Sequence, residues 1–564
     1  MYTWLTILIL FAPFLFGLYY EWSSCIATVF LCAALFMRYR LVGRLFVRSR
    51  LLLAASASIV VALMISPVWA VDKGMTLIGA AKFLPVPLFV LAADQLSEEE
   101  REKILLKLPS VGALMTVLSA SGYILRHFTS FLPAVKLADF FLNNARLSGF
   151  FGYPNAYALF LLVCVIVEQK TVGRKKDNNL REKAGISGSM LIGVIKLAVL
   201  LSGIILSGSR TVLILFGFFA LINLFTLRGK ARVVLLGLTC AAAVGIAAVL
   251  LLFGHDSSGR FLTYSLSPGT FYGRLLYYRD ALPVILKHPA GLGYMGYFET
   301  QGSFQTGVYS VMHVHNDLLQ IFLDAGWLPG ILCVVSFVRM LTGGEKKKEA
   351  GHWLPLKMIV MVIVLHSLLD FDLQFISIVF VLLLCMADLS PEKELYVPKA
   401  AVYGVFPAAA VLGMYFMIPL ALYNAGIPSA AARVYPAHTL ALEKLLIGAE
   451  TEEEMELYAD RILRLNPNFS LANSAKARLA YGQGDFDAMV RYKERAIRFS
   501  RYTPEEYEDY YEMLYTGYEL YKQAGDAESA EYCMRKMEKI PEMMEEVKEG
   551  TSFFGWRIKD KPEI

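Results

Sequence analysis

Val311-Met312-His313-Val314-His315-Asn316-Asp317-Leu318-Leu319-Gln320 marks a border in this chain. A polar stretch over residues 254–316 ends there, and a mostly apolar one over 317–341 begins. Histidines on such a border are costly to bury and well suited to proton transfer. Everything before the polar stretch reads as membrane, and the chain beyond it reads as membrane plus a soluble tail.

A membrane-crossing helix needs about 20 mostly apolar residues. Such runs centre on residues 3–20, 22–38, 51–70, 75–93, 104–125, 154–168, 188–206, 211–227, 232–253, 317–341, 355–370, 373–388 and 400–423. Charged residues are 18% of the chain, against about 25% in soluble domains, and the mean hydropathy is +0.50. The expected fold is all-α: a polytopic membrane protein of about 12–13 transmembrane helices, with one long extracytoplasmic loop and a helical tail. The net charge of +5 is small for the length and argues against nucleic acid as a partner. Residues 3–20 lack a basic leader and a cleavage site, so they read as the first span rather than a signal peptide. Six cysteines fall in apolar runs and Cys533 stands alone in the tail; no spacing suggests zinc or a disulfide framework.

Basic residues orient the spans. They cluster at Arg38–Arg50, at Lys170–Lys183, at Arg228–Arg232 and at Lys346–Lys357, with four, two and two spans between consecutive pairs, an even number each time. All four clusters can therefore be cytoplasmic, which puts the amino terminus inside and the loops 126–153 and 254–316 outside. An odd span count carries the tail outside as well. Residues 1–428 form the expected membrane domain, with 254–316 as its catalytic loop, and 429–564 a helical domain. In the tail, Gly484-Asp485 and Gly525-Asp526 separate Ala- and Tyr-rich helical segments. That pattern resembles tetratricopeptide repeats, which stack helix pairs around a groove; a plain helical bundle is the simpler alternative.

Four motifs succeed one another in the second half. They are Gly273-Arg274, His288-Pro289-Ala290-Gly291-Leu292-Gly293, His313-Val314-His315-Asn316 with Leu319-Gln320, and Gly326-Trp327-Leu328-Pro329-Gly330. Upstream lie Arg146-Leu147-Ser148-Gly149 with Pro154-Asn155, and Ser209-Arg210-Thr211. In combination, over roughly residues 120–385, these resemble the O-antigen ligase superfamily. It includes lipopolysaccharide ligases, O-antigen polymerases and bacterial O-oligosaccharyltransferases. The resemblance implies transfer of a glycan from polyprenyl (undecaprenyl) pyrophosphate to an acceptor hydroxyl on the outer face of a bacterial plasma membrane. The reaction would invert the anomeric centre and use neither metal nor cofactor.

The residue types suit that chemistry. Arginine holds phosphate oxygens with a planar fork of donors and keeps its charge. Histidine can take a hydroxyl proton near neutral pH. His315 is the expected base, beginning the adjoining helix, and His313 a supporting or substitute base. A polar helix-capping segment is the plainer reading of both. Asn316 or Asp317 is expected to cap the helix, with Asn316 supporting the site. Arg210 and Arg274 are the leading pyrophosphate ligands, followed by Arg279, which Asp280 beside it allows a surface role, and by Arg146. His366 and Asp370, four residues apart, are expected to share a helix face and to support the site or pair across helices. Asp372 is expected at the water interface. Tyr272, Tyr277, Tyr278, Tyr294 and Tyr297 could stack on sugars or anchor the loop at the headgroups.

Other activities fit parts of the pattern. Repeat-unit polymerisation and protein O-glycosylation differ from ligation chiefly in the acceptor, which is a glycan, a lipid or a protein. A repeat tail could hold a protein partner. A transporter or flippase would show paired charges deep in spans and internal symmetry. A membrane-anchored scaffold would leave the loop motifs unexplained.

Overall fold

The computed structural model describes residues 1–128, 140–143, 146–178, 188–226, 268–342, 350–389 and 394–558. It is 80% helix and 2% strand, so the class is all-α. Among the described residues, five helical stretches are long and apolar enough to cross a membrane: Glu21–Val42, Arg50–Val68, Lys73–Asp94, Glu98–Gly122 and Ala401–Asn424. Shorter apolar helices occupy Tyr2–Phe14, Pro154–Gln169, Leu191–Ser207, Arg210–Ile222, Trp327–Thr342, Pro355–Ser367 and Ile376–Ala387. The chain is a polytopic membrane protein. The expected span 232–253, and Arg181, Lys183, Arg228, Lys230, Arg232 and Lys346–Lys348, lie outside the described residues.

The expected span 317–341 is not one helix. It divides into Asp317–Ala325 and Trp327–Thr342. Gly326 between them has φ +89°, and the Trp327 N–H leaves the helical ladder for the Pro289 carbonyl at 2.9 Å. A side chain at Gly326 would meet that same carbonyl, so glycine is required for the close approach.

The described chain forms two compact units. The first comprises Met1–Ala57, Lys82–Leu266 and Ile331–Met414. Its helices pack through a continuous apolar core, within which Phe89 and Phe380 stack at 4.2 Å. Asp94 caps the Arg50–Ile65 helix from a distant part of the chain. Its carboxylate accepts from the N–H groups of Arg48 and Ser49 and from the Ser49 hydroxyl, at 2.8, 2.9 and 2.8 Å. A carboxylate there satisfies the donors of the two residues that lead into the helix and lies near its positive end.

The second unit comprises Ser58–Ala81, Ser267–Gly330 and Tyr415–Ile564. The tail is a run of helices, among them Glu452–Leu465, Ser470–Gly482, Phe486–Phe499, Pro504–Ala524 and Ala527–Glu549. The two Gly-Asp turns each have a double role. Gly484 and Gly525, both at φ +76°, reverse the chain. Asp485 and Asp526 then cap the next helix by accepting from Ala488 N and Ser529 N.

The tail holds the loop segment by its main-chain oxygens. Arg501 Nη2 donates to Ser303 O at 2.5 Å, and Ser552 N to Thr306 O at 2.9 Å. A side chain at Gly302 would collide with the Phe499 carbonyl, which shows how closely the two backbones run.

Candidate functional site

The second unit holds His313, His315, Arg274 and Arg279; the first holds Arg146, Arg210, His366 and Asp370. In the second unit, the Pro268–Lys287 helix packs on Asp317–Ala325. Leu276, Val284, Val314 and Leu323 fill the layer between them.

His315 does not begin the helix as expected. It precedes the cap, in the left-handed region at φ +54°, a conformation that is strained for a non-glycine residue. Asn316 is the cap, and its side chain accepts from Leu319 N at 3.0 Å. The strained turn folds the imidazole back on its own backbone, so that His315 Nδ1 lies 2.9 Å from the His313 carbonyl oxygen. A carbonyl only accepts, so Nδ1 carries a hydrogen, and in the neutral ring the lone pair is then on Nε2. His313 itself is buried; its main-chain oxygen, rather than its ring, sets the tautomer.

Two tyrosines one turn beyond Arg274 complete the setting. Tyr278 Oη donates to the His315 carbonyl at 2.7 Å, and the Tyr277 ring centre lies 5.8 Å from that of His315. Gln320 clamps the approach: its Oε1 accepts from Val314 N at 2.9 Å, and its Nε2 donates to Asp324 Oδ1 at 2.9 Å. Arg279 is exposed at the helix surface. Asp280, the next residue, is buried and accepts from Thr306 N, Thr306 Oγ1 and Tyr309 Oη at 2.8, 2.7 and 3.0 Å. Burial pushes its carboxyl above the ordinary carboxylate range, and the Thr306 and Tyr309 hydrogen bonds pull the other way.

The glycine-rich turn fixes the other edge. Gly291 and Gly293 have φ +78° and +83°. Leu292 N and Gly293 N donate to Leu323 O and Asp324 O at 2.6 and 3.1 Å. A side chain at Gly291 would strike the Asp324 carbonyl, so this motif lets backbone lie on backbone.

In the first unit, Arg146 is part of a network. Its Nε donates to Ser207 O at 2.7 Å and its Nη2 to Asn155 Oδ1 at 2.6 Å. Asn155 Nδ2 donates onward to Asp370 Oδ2 at 2.7 Å and to Tyr153 Oη at 3.1 Å. Tyr153 Oη donates to Asp370 Oδ1 at 2.8 Å. Ser207 ends one helix; Gly208 turns the chain at φ +60°, and exposed Arg210 opens the next helix. Arg146 thus positions the turn that carries Arg210.

Two expectations here are corrected. His366 and Asp370 do not share a helix face, because the helix ends at Ser367. The His366 Nδ1 partner is Asp372, and both side chains are fully buried, so Asp372 is not at the water interface. Sequence reading also missed buried Lys82, whose Nζ lies 3.7 Å from Glu21 Oε1 and over the Tyr19 ring. A lysine inside an otherwise apolar span was the available signal. Gln320 and Asp324 were missed too; their spacing of four in a helix was the only hint. Among the described residues, no group of three or more His, Cys, Asp or Glu side chains is arranged to hold a metal ion.

Residues 195–335 match the family described as O-Antigen ligase. That range contains Arg210, Arg274, Arg279, His313 and His315, but not Arg146, His366 or Asp370. No curated protein and no solved structure matches the chain.

Proposed function

We propose that this chain, whose residues 195–335 match the family described as O-Antigen ligase, transfers a glycan from polyprenyl pyrophosphate to an acceptor hydroxyl. His315 Nε2 takes the hydroxyl proton as the acceptor oxygen attacks the anomeric carbon. The bond to pyrophosphate breaks, its electron pair goes to the phosphate oxygen, and the anomeric centre inverts. Arg274, one turn before the tyrosines that border His315, and Arg210, from its motif, hold the developing charge. Arg279 is a weaker ligand of the same group. Arg146, Asn155 and Asp370 act through the position of the Arg210 turn rather than on the donor.

The observation that carries this reading is the His315 Nδ1 contact with the His313 carbonyl, at 2.9 Å. A general base needs one specific nitrogen unprotonated, and a main-chain acceptor selects it without adding a charge. The reaction belongs on the outer face of a bacterial plasma membrane, with the amino terminus cytoplasmic and the loop and tail outside. The tail, read as tetratricopeptide-like, suits a protein partner or a protein acceptor. Polymerisation of repeat units uses the same chemistry with a glycan acceptor.

The test is transfer by purified protein in proteoliposomes, supplied with polyprenyl pyrophosphate glycan and candidate acceptors. His315→Ala should insert normally and lose about 10²–10⁴-fold in rate. Retained transfer would remove His315 as the base. Arg210→Ala and Arg274→Ala should each weaken use of the donor, and unchanged donor kinetics in both would remove the leaving-group role.

A further inference from the structure

The Pro268–Lys287 helix has two faces of different character. Leu276, Asp280, Ala281, Val284 and Ile285 point into the second unit and are buried. On the opposite side, Phe271, Leu282 and Leu286 are 62%, 50% and 69% exposed, and Leu275 is partly exposed. Positions 271, 275, 282 and 286 recur at helical spacing and form one apolar stripe. We propose that this stripe rests in the interfacial layer of the lipid bilayer, making the helix an in-plane membrane anchor for the loop that carries His315.

The occupant is identified by what the end of the helix is tied to. Trp69 directly follows the candidate span Arg50–Val68, and its Nε1 donates to Ala290 O at 3.2 Å. Trp327 opens the apolar helix Trp327–Thr342, and its Nε1 donates to Ile285 O at 2.9 Å. The end of one candidate span and the start of one shorter apolar helix are thus hydrogen-bonded to the turn after this helix and to its last turn. A span end lies at the membrane edge, so the end of the helix lies there too. Tryptophan is the residue that prefers that depth, and both indoles remain partly exposed.

The exposed apolar surface is continuous in kind with those spans. Val68 is 85% exposed and Leu328 is 66% exposed. The fifteen steps from Phe271 to Leu286 span about 22 Å at 1.5 Å per residue. Upright, such a helix would carry Phe271 far beyond the headgroups; lying in the plane, it keeps the whole stripe in apolar contact. Exposed Arg279, Lys287 and His288 border the stripe and its end, where lipid phosphates would meet them. One consequence rests on the proposed glycan-transfer reading: the same depth brings Arg274 level with a lipid-borne pyrophosphate. The anchoring itself does not depend on that reading.

The test measures depth, with no glycan present, so its failure and the failure of glycan transfer are distinguishable. Full-length protein carrying Phe271→Cys, Leu282→Cys or Leu286→Cys is spin-labelled and placed in phosphatidylglycerol-containing vesicles, with labelling of the unsubstituted chain as background. Glu505→Cys, at an exposed tail position, is the aqueous control. Oxygen should relax the three helix labels several-fold more than a water-soluble nickel chelate does, with the order reversed for Glu505→Cys. Helix labels relaxed mainly by the nickel chelate would overturn the proposal. Labels shielded from both reagents, with shielding lost as protein is diluted into lipid, would assign the stripe to a second copy and also overturn it.

Discussion

Arg146 and His315 are held in place by opposite means. The Arg146 network joins side chains and a carbonyl from residues 146, 153, 155, 207 and 370, so its partners lie up to 217 positions apart. His315 is set by its own neighbourhood: the His313 carbonyl, the Asn316 cap and the Gln320 clamp all lie within eight residues. The first arrangement exists only once several helices have packed. The second needs one strained turn and one helix start, with a single long-range bond added by Tyr278 from the packed loop helix. Removing one member of a half-buried network breaks several hydrogen bonds at once, whereas a local cap contributes an increment of its own.

The largest expected effect therefore falls on the network. Asp370→Ala removes the acceptor of Asn155 and Tyr153 and leaves two half-buried donors without it. A hydrogen bond to a charged group contributes about 1.5–3 kcal/mol and two are lost, so the melting temperature in detergent should drop by several degrees or more. A melting temperature unchanged within a degree would show that Arg146 and its partners are no unit. Gly302→Val comes next. Its new side chain has no room beside the Phe499 carbonyl, and forced overpacking costs about 1–3 kcal/mol. The contact lies between tail and loop, so limited proteolysis should release the tail faster while the apolar helices stay intact. Equal cleavage rates would mean that the tail is held elsewhere.

Asn316→Ala is the local counterpart. Loss of a side-chain cap costs about 0.5–2 kcal/mol, so global melting should move less than for Asp370→Ala. Its sharper signature is at the imidazole, because the cap orders the turn that presents His315 Nδ1 to His313. The pH profile of glycan transfer should broaden or shift in Asn316→Ala. A larger fall in melting temperature than that of Asp370→Ala would reverse the comparison.

Legibility in the sequence obeys the same division. Spans, the Gly-Asp turns and the loop helix are local, and hydropathy, capping and turn chemistry report them. The break at Gly326 was hidden because the run 317–341 stays apolar through it, and only the approach of Pro289 explains it. His315 could be chosen from its motif, but its left-handed backbone and tautomer could not, since both depend on how the chain enters the helix. The shared face of His366 and Asp370 was misread for a related reason: the i, i+4 rule presumes a continuing helix, and this one stops at Ser367, although Asp370 does pair across helices, with Tyr153 and Asn155. Asn155, Lys82 and Asp280 take their roles from partners that no spacing in one sequence relates.

The smallest effect tests whether a cluster assembled from distant segments can also be tuned by pH. Glu299 lies in the second unit, with Oε1 buried and Oε2 3.5 Å from Asn466 Nδ2. Burial pushes its carboxyl well above the ordinary range, and the negative charges of Asp72 and Glu443 push it further. Asp72, Asp280 and Glu443 are themselves raised, chiefly by burial. A carboxyl whose folded pKa exceeds its unfolded value, about 4.3 for Glu, takes up protons on folding. Its stabilising contribution is complete below that unfolded value and is lost as pH rises through the folded one. The tail and loop should therefore melt at higher temperature in mild acid than at neutral pH. Glu299→Gln keeps the shape, removes the titration and should flatten that slope in part, since Asp72, Asp280 and Glu443 still contribute with the same sign. Asp509 and Asp526 are lowered and contribute with the opposite sign, so the measurement that decides is the difference between the two proteins across pH. Parallel curves from pH 4 to 8 would mean that Glu299 stays charged when folded, and that the three carboxylates are not coupled.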